Sequence, residues 1–113
     1  MKTPDVLING LGSFLPDRVS IEWAVERDLI DGTDAERHGI TSVTVADDLP
    51  APEMAVRASR QALERAGQTA ESLSLLLYVS VVYQGPHSWC PQYHVQRHIS
   101  AGQATAADEI RQG

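Results

Sequence analysis

The chain has 113 residues, 42% hydrophobic and 21% charged, which is the size and make-up of one small globular domain and excludes a disordered or fibrous class. A net charge of −6 argues against non-specific attraction to nucleic acid or to an anionic membrane surface. One cysteine, Cys90, cannot close an intramolecular disulfide and fits a reducing, cytoplasmic setting; Met1–Asp5 lacks the pattern of a secretory leader.

Asp5–Phe14 reads as a short apolar strand running into Gly10-Leu11-Gly12. A dinucleotide fingerprint needs a third glycine and an immediate helix. Phe14-Leu15-Pro16 follows instead, so a tight turn is expected and not a phosphate cradle. Ser20 is the expected N-cap of a short helix with Ile21, Ala24, Val25 and Leu29 on one face. Asp31-Gly32-Thr33-Asp34 should end it. Ala35–Ile40 is expected to be a loop with a turn at Gly39, exposing Arg37 and His38 to solvent or to an anionic ligand. Thr41–Ala46 alternates like an edge strand, and Asp47-Asp48 before Leu49-Pro50 marks a turn.

Ala51–Ala66 carries the clearest helical signal. Pro52 suits the first turn, Glu53 complements the positive end of the helix dipole, and Gly67 fits the position after the last turn. Its inner stripe is expected at Ala55, Ala58, Ser59, Ala62 and Ala66; Arg57, Arg60, Glu64 and Arg65 should form a solvated face, with Arg60 and Glu64 spaced to pair. Leu73–Tyr83 is then apolar on both faces at period two, the signature of a strand covered on both sides in a parallel sheet. Gly85-Pro86 stops it. The loop Tyr83–Pro91 follows at the C-terminal end of that strand, where ligand sites of open α/β sheets gather. A helix is expected over Tyr93–Ser100 and a third strand over Thr105–Arg111. The order of elements argues α/β.

The reactive side chains fix no reaction by themselves. A catalytic thiol needs a base within hydrogen-bond reach and an oxyanion hole, and nothing in the sequence places either beside Cys90; a small buried hydrophobe is the blander reading. His94 and His98 stand at i,i+4 spacing near His87, yet no acidic or thiol partner sits at a recognisable metal spacing, so no metal is expected. Trp89 and Tyr93 either line a ligand pocket or fill the core.

The order of signposts is more informative. Ile8-Asn9-Gly10-Leu11-Gly12-Ser13-Phe14-Leu15-Pro16, Arg37-His38-Gly39-Ile40, the helix ending Ala62-Leu63-Glu64-Arg65-Ala66-Gly67, the strand Leu75–Val82, the helix Tyr93–Ile99 and the run Asp108–Gly113 together resemble the N-terminal portion of a β-ketoacyl-acyl-carrier-protein synthase III, of the thiolase superfamily. The resemblance covers nearly the whole chain. It implies part of an αβαβα fold, a homodimer, and acyl transfer through a cysteine acyl-enzyme, in polyketide, antibiotic or fatty-acid biosynthesis. It places the nucleophile immediately after Gly113, so no catalytic residue is expected among these 113. It also implies Arg37, Trp89 and Tyr93 as substrate-binding residues, with acyl-coenzyme A or an acyl-phosphopantetheine carrier protein as substrate and no resident cofactor.

Two departures bear on the substrate. The tryptophan that often precedes the Arg-x-Gly-Ile segment in the family is missing from the shortened Asp34-Ala35-Glu36-Arg37, which favours a carrier-protein donor over coenzyme A. His87-Ser88-Trp89-Cys90-Pro91-Gln92-Tyr93 replaces the family's Pro-Ser/Thr-rich segment, which points to an unusual acyl group. The competing readings are a non-catalytic thiolase-like partner subunit and a small α/β binding domain. On the first reading the segment is expected to be stable only with the rest of the enzyme, as a second segment or chain.

Overall fold

A computed structural model describes residues 6–112; the expectations for Met1–Asp5 and for the position after Gly113 lie outside the described residues. Two units separate, Leu15–Leu49 and the combination of Met1–Phe14 with Pro50–Gly113.

In the smaller unit, β1 (Arg18–Ser20) pairs antiparallel with β2 (Ser42–Thr44) in the register Arg18↔Thr44 and Ser20↔Ser42. Ser20 caps helix α1 (Ile21–Val25) as expected, its Oγ accepting from the Trp23 amide at 3.2 Å. The same hydroxyl and Glu22's backbone amide act on the Glu22 carboxyl: hydrogen bonds, first to the backbone and then to Ser20, hold it below the usual carboxylate range. Helix α1 is shorter than the sequence suggests. It ends before Asp28, which adopts a left-handed φ of 54°, and Leu29 leaves the apolar face, 55% exposed. Asp31 begins a helix and does not end one. Its Oδ1 accepts from the amides of Thr33 and Asp34 at 2.8 and 3.0 Å, and α2 (Gly32–Arg37) follows. An Asp N-cap satisfying two orphan amides outweighs the low helix propensity of Gly32, so the first half of the expected loop Ala35–Ile40 is helical through Arg37, and the chain turns at Gly39 as expected.

The larger unit is built on α3 (Ala51–Ala66), whose bounds match the expectation and whose chain reverses at Gly67, with φ 63°. Its fully buried side chains are Pro52 and Val56, not the stripe of alanines. After a 3₁₀ turn at Ala70–Ser72 comes β3 (Leu75–Ser80), shorter than Leu73–Tyr83. Strand β3 pairs in parallel with β4 (Ala106–Arg111), Leu75 opposite Ala106 and Ser80 opposite Arg111. The crossover between them is α4 (Pro91–His98). Val56, Ala70, Tyr78, Val95 and Ile99 make the core. Two part-buried hydrogen bonds fix the entry to β4: Thr105 Oγ1 donates to the Leu73 carbonyl at 2.8 Å, and Gln96 Nε2 donates to the Thr105 carbonyl at 2.7 Å.

Four expectations are corrected here. Strand β3 is covered on one face only: Tyr78 and Ser80 are buried, while Leu75, Leu77 and Val79 are 51%, 51% and 65% exposed. Its second cover is not supplied by any described residue. Residues 6–14 form no ladder either, because no described strand pairs with them. They lie along α3 instead, with the Ser13 amide donating to Gln61 Oε1 at 2.9 Å and Arg65 donating to the Leu11 carbonyl at 2.8 Å. Arg60 likewise leaves Glu64 and donates to the His98 carbonyl at 2.6 Å. A Cβ on Gly12 would sit 1.9 Å from the Ala58 carbonyl oxygen, and one on Gly10 2.3 Å from that of Ala62. The glycines serve close approach of two backbones, and not a tight turn.

Candidate functional site at the C-terminal ends of β3 and β4

Parallel strands end together, so β3 and β4 deliver Ser80 and Arg111 to the same edge. Glu109 organises that edge. It accepts from Arg111 through both carboxylate oxygens at 2.9 Å, and from Ser80 Oγ at 3.3 Å. The bonds to Glu109 raise the Arg111 pKa further, so the guanidinium stays charged. Arg111 also lies over the ring of Tyr83 at 4.2 Å from its centroid, a cation–π contact. Behind them the Tyr78 hydroxyl reaches Gln84 Oε1 at 3.3 Å. Burial first, and the Glu109 charge second, push the Tyr78 phenol above its ordinary pKa and keep it protonated.

The loop after β3 closes over this edge. Ser88 takes a left-handed φ of 66°, and the Trp89 amide bonds the Pro86 carbonyl at 3.1 Å. Gly85 lets the indole lie on the backbone, since a Cβ there would meet Trp89 Cε3 at 2.5 Å. Trp89 and Cys90 thereby border two grooves. One, of about 310 Å³, includes Tyr83, His87, Glu109 and Arg111; the other, of about 400 Å³, includes Tyr93, His94, Arg97 and His98. The first joins a fixed cation and a carboxylate to aromatic walls, an arrangement suited to a polar group carried on an apolar body.

The structure brings Trp89 and Tyr93 together on the second groove, 37% and 56% exposed, so they line a surface and do not fill the core. Arg37 belongs to the other unit, at the last turn of α2, where its guanidinium is 3.6 Å from Asp34 Oδ1 and largely solvated. Cys90 is exposed, correcting its reading as a buried hydrophobe. His94 does not serve its thiol: His94 Nε2 meets Glu53 Oε1 at 2.8 Å. Glu53, Glu109 and Arg111 are the polar residues to which the sequence reading gave no part in a site. Glu53 was legible only as a helix-dipole complement. Glu109 and Arg111 share a face by strand alternation, which would have paired them, but the partner strand sets their location.

No family model and no curated protein matches the chain. Solved structures do. ChlB3, an acyltransferase, is 49% identical with a TM-score of 0.86, the alignment covering 97% of this chain and 33% of that one. The chain is similar to ketosynthase-III-type enzymes of the thiolase superfamily. Two ketosynthases stand further away at 25% identity. The 3-oxoacyl-[acyl-carrier-protein] synthase III of Aquifex aeolicus has a TM-score of 0.76, over 93% of this chain and 34% of that one. The priming β-ketosynthase of the R1128 polyketide biosynthetic pathway has a TM-score of 0.74, over 93% and 32%. This ketosynthase-III-like segment therefore spans about a third of the length of its structural relatives, and its α/β elements are part of a thiolase-like fold. Among the described residues, no helix is long and apolar enough to cross a membrane.

Proposed function

We propose that this segment is the N-terminal portion of an acyltransferase that moves an acyl group from a coenzyme A or carrier-protein thioester through a cysteine acyl-enzyme, in polyketide or fatty-acid biosynthesis. The observation that carries the reading is the 49% identity to an acyltransferase over 97% of the chain, against 25% to the two ketosynthases. The nucleophile follows β4 directly in this reading. Its thiolate attacks the thioester carbonyl, the carbon–sulfur bond to the donor breaks, and the donor leaves as a thiol. An acceptor then takes the acyl group and frees the cysteine. The groove beside Trp89 and Tyr93 forms part of the acyl pocket, and Arg37 contacts the donor's phosphate-bearing arm. A homodimer completes the enzyme.

The test is acyl-enzyme trapping on the full-length protein. It is incubated separately with a series of acyl-coenzyme A and acyl-carrier-protein thioesters, then digested and read by mass spectrometry. One acyl group on a residue just beyond Gly113, unchanged by Cys90→Ala, is the expected result. A carrier-protein donor should label faster than coenzyme A, and Arg37→Ala should slow labelling by raising the donor concentration needed. Labelling of Cys90 itself, or no adduct from any donor, overturns the reading.

A further inference from the structure

We propose that Glu53, His94 and His98 form a binding site for one borderline-soft divalent ion of the zinc type. One ligand atom from each residue falls within 4.8 Å of the others. The site joins the first turn of α3 to α4, a pairing with no sequence spacing to reveal it. His94 and His98 stand one turn apart, and their rings stack with centroids 4.0 Å apart and planes at 29°, so both imidazoles leave the helix on one side.

The tautomer of the neutral His98 ring is set by its neighbour. His98 Nδ1 is 2.8 Å from the His94 carbonyl; a carbonyl only accepts, so Nδ1 carries the proton and Nε2 keeps the lone pair. A backbone carbonyl holding the second nitrogen is the usual outer partner of a metal-binding histidine. His94 Nε2 and Glu53 Oε1 are 2.8 Å apart, an ordinary hydrogen bond. Zinc–nitrogen and zinc–oxygen bonds of about 2.0–2.2 Å at a tetrahedral angle separate two ligand atoms by about 3.3 Å. A metal bound to both atoms takes the place of this hydrogen bond, with the His94 proton carried on Nδ1, and opens the pair by about half an ångström, within reach of side-chain rotation.

Two neutral imidazoles and one carboxylate are the donor set of zinc sites with three protein ligands, and they suit zinc, cobalt or nickel better than the hard cations magnesium and calcium. Both histidines border the groove shared with Trp89, Cys90 and Arg97, which leaves the fourth position to water or another exchangeable ligand. The groove is the one assigned above to the acyl pocket, but metal binding rests on Glu53, His94 and His98 and does not require the acyl-transfer reading.

The experiment is Co²⁺ and Zn²⁺ titration of the metal-stripped full-length protein, followed by absorption spectroscopy and calorimetry, with Mg²⁺ as the contrasting ion. One equivalent of Co²⁺ should bind with a tetrahedral visible spectrum, Zn²⁺ should displace it, and Mg²⁺ should not. His98→Gln, at an exposed position, and Glu53→Gln, which keeps a hydrogen bond to His94, should each weaken binding by at least about tenfold, the cost of losing even an outer-shell partner. Circular dichroism identifies any variant that has lost its fold, and His87→Gln should bind like the parent. Absence of Co²⁺ binding, or binding unchanged in both folded variants, overturns the proposal and leaves Glu53–His94 a plain hydrogen bond.

Discussion

Replacing Gly12 by alanine tests whether residues 6–14 are held by close backbone approach to α3. The added Cβ would lie 1.9 Å from the Ala58 carbonyl oxygen, 2.6 Å from the Ala62 amide nitrogen and 3.0 Å from the Ala58 carbonyl carbon. All three are helix backbone, so no side chain can swing away. Relief requires the segment to retreat by well over an ångström, and the bonds Ser13–Gln61 and Arg65–Leu11 at 2.9 and 2.8 Å would then stretch past hydrogen-bond range. Overpacking costs about 1–3 kcal/mol, and two lost hydrogen bonds add about 1 kcal/mol each, giving roughly 3–5 kcal/mol. Gly102→Ala provides the baseline. Its Cβ would meet nothing nearer than 3.8 Å, and a strain-free Gly→Ala change is worth about 0.4–1 kcal/mol in favour of the fold. Urea unfolding of the full-length protein and both variants, monitored by circular dichroism, measures the difference. If Gly12→Ala lies within about 1 kcal/mol of Gly102→Ala, the close-approach argument fails.

Gly85→Ala should displace the Trp89 indole, since its Cβ would meet Trp89 Cε3 at 2.5 Å. Because the displaced group is an exposed side chain, stability should change by less than about 1 kcal/mol while the acyl-chain preference of the full-length enzyme shifts; an unchanged preference would remove Trp89 from the pocket. Tyr78 predicts an alkaline limit. Its folded pKa is raised above the ordinary 10.0 by burial and by Glu109, so the fold retains the phenol proton more tightly than the unfolded chain does. The associated stability is complete below pH 10 and is lost as pH rises towards the folded value. Tyr78→Phe should flatten that alkaline decline in urea midpoint, and an identical decline in both proteins would refute the assignment.

What was legible in the sequence was local. Helix α3 declared itself through Pro52, Glu53 and Gly67, because caps and dipole complements act within one turn. The Ser20 cap was legible for the same reason. Asp31 carried an equally local signal, yet the adjacent Gly32 suggested an ending, and α2 was missed. Strand β1 has only three residues, Arg18–Ser20, too few for alternation to show. The polar edge was hidden for a different reason. Glu109 meets Ser80 across a sequence separation of 29, and Glu53 meets His94 across 41; only the parallel register and the α3–α4 packing create those pairs.

The apolar pattern of β3 was the reverse case, a sequence signal stronger than the described structure satisfies. Leu75, Leu77, Val79 and Val81 are each at least half exposed, and Ile110, opposite Val79, is 39% exposed. Full burial of such a side chain is worth about 1.5–3 kcal/mol, so five that are roughly half exposed leave on the order of 5 kcal/mol unrealised. That is comparable with the whole stability of a small domain, about 5–15 kcal/mol. Residues chosen for a solvated face would not leave so much unused, and Ser80, Glu109 and Arg111 at the end of the same strands show that polar residues stand where they have partners. The face is therefore built for a covering layer. The segment spans about a third of each relative's length, and the same two strands carry both this exposed face and the polar edge. The stability of the segment and the geometry of its candidate site are for that reason coupled: packing on Leu77 and Val79 would bear on the same strands that hold Arg111 against Glu109 and Tyr83.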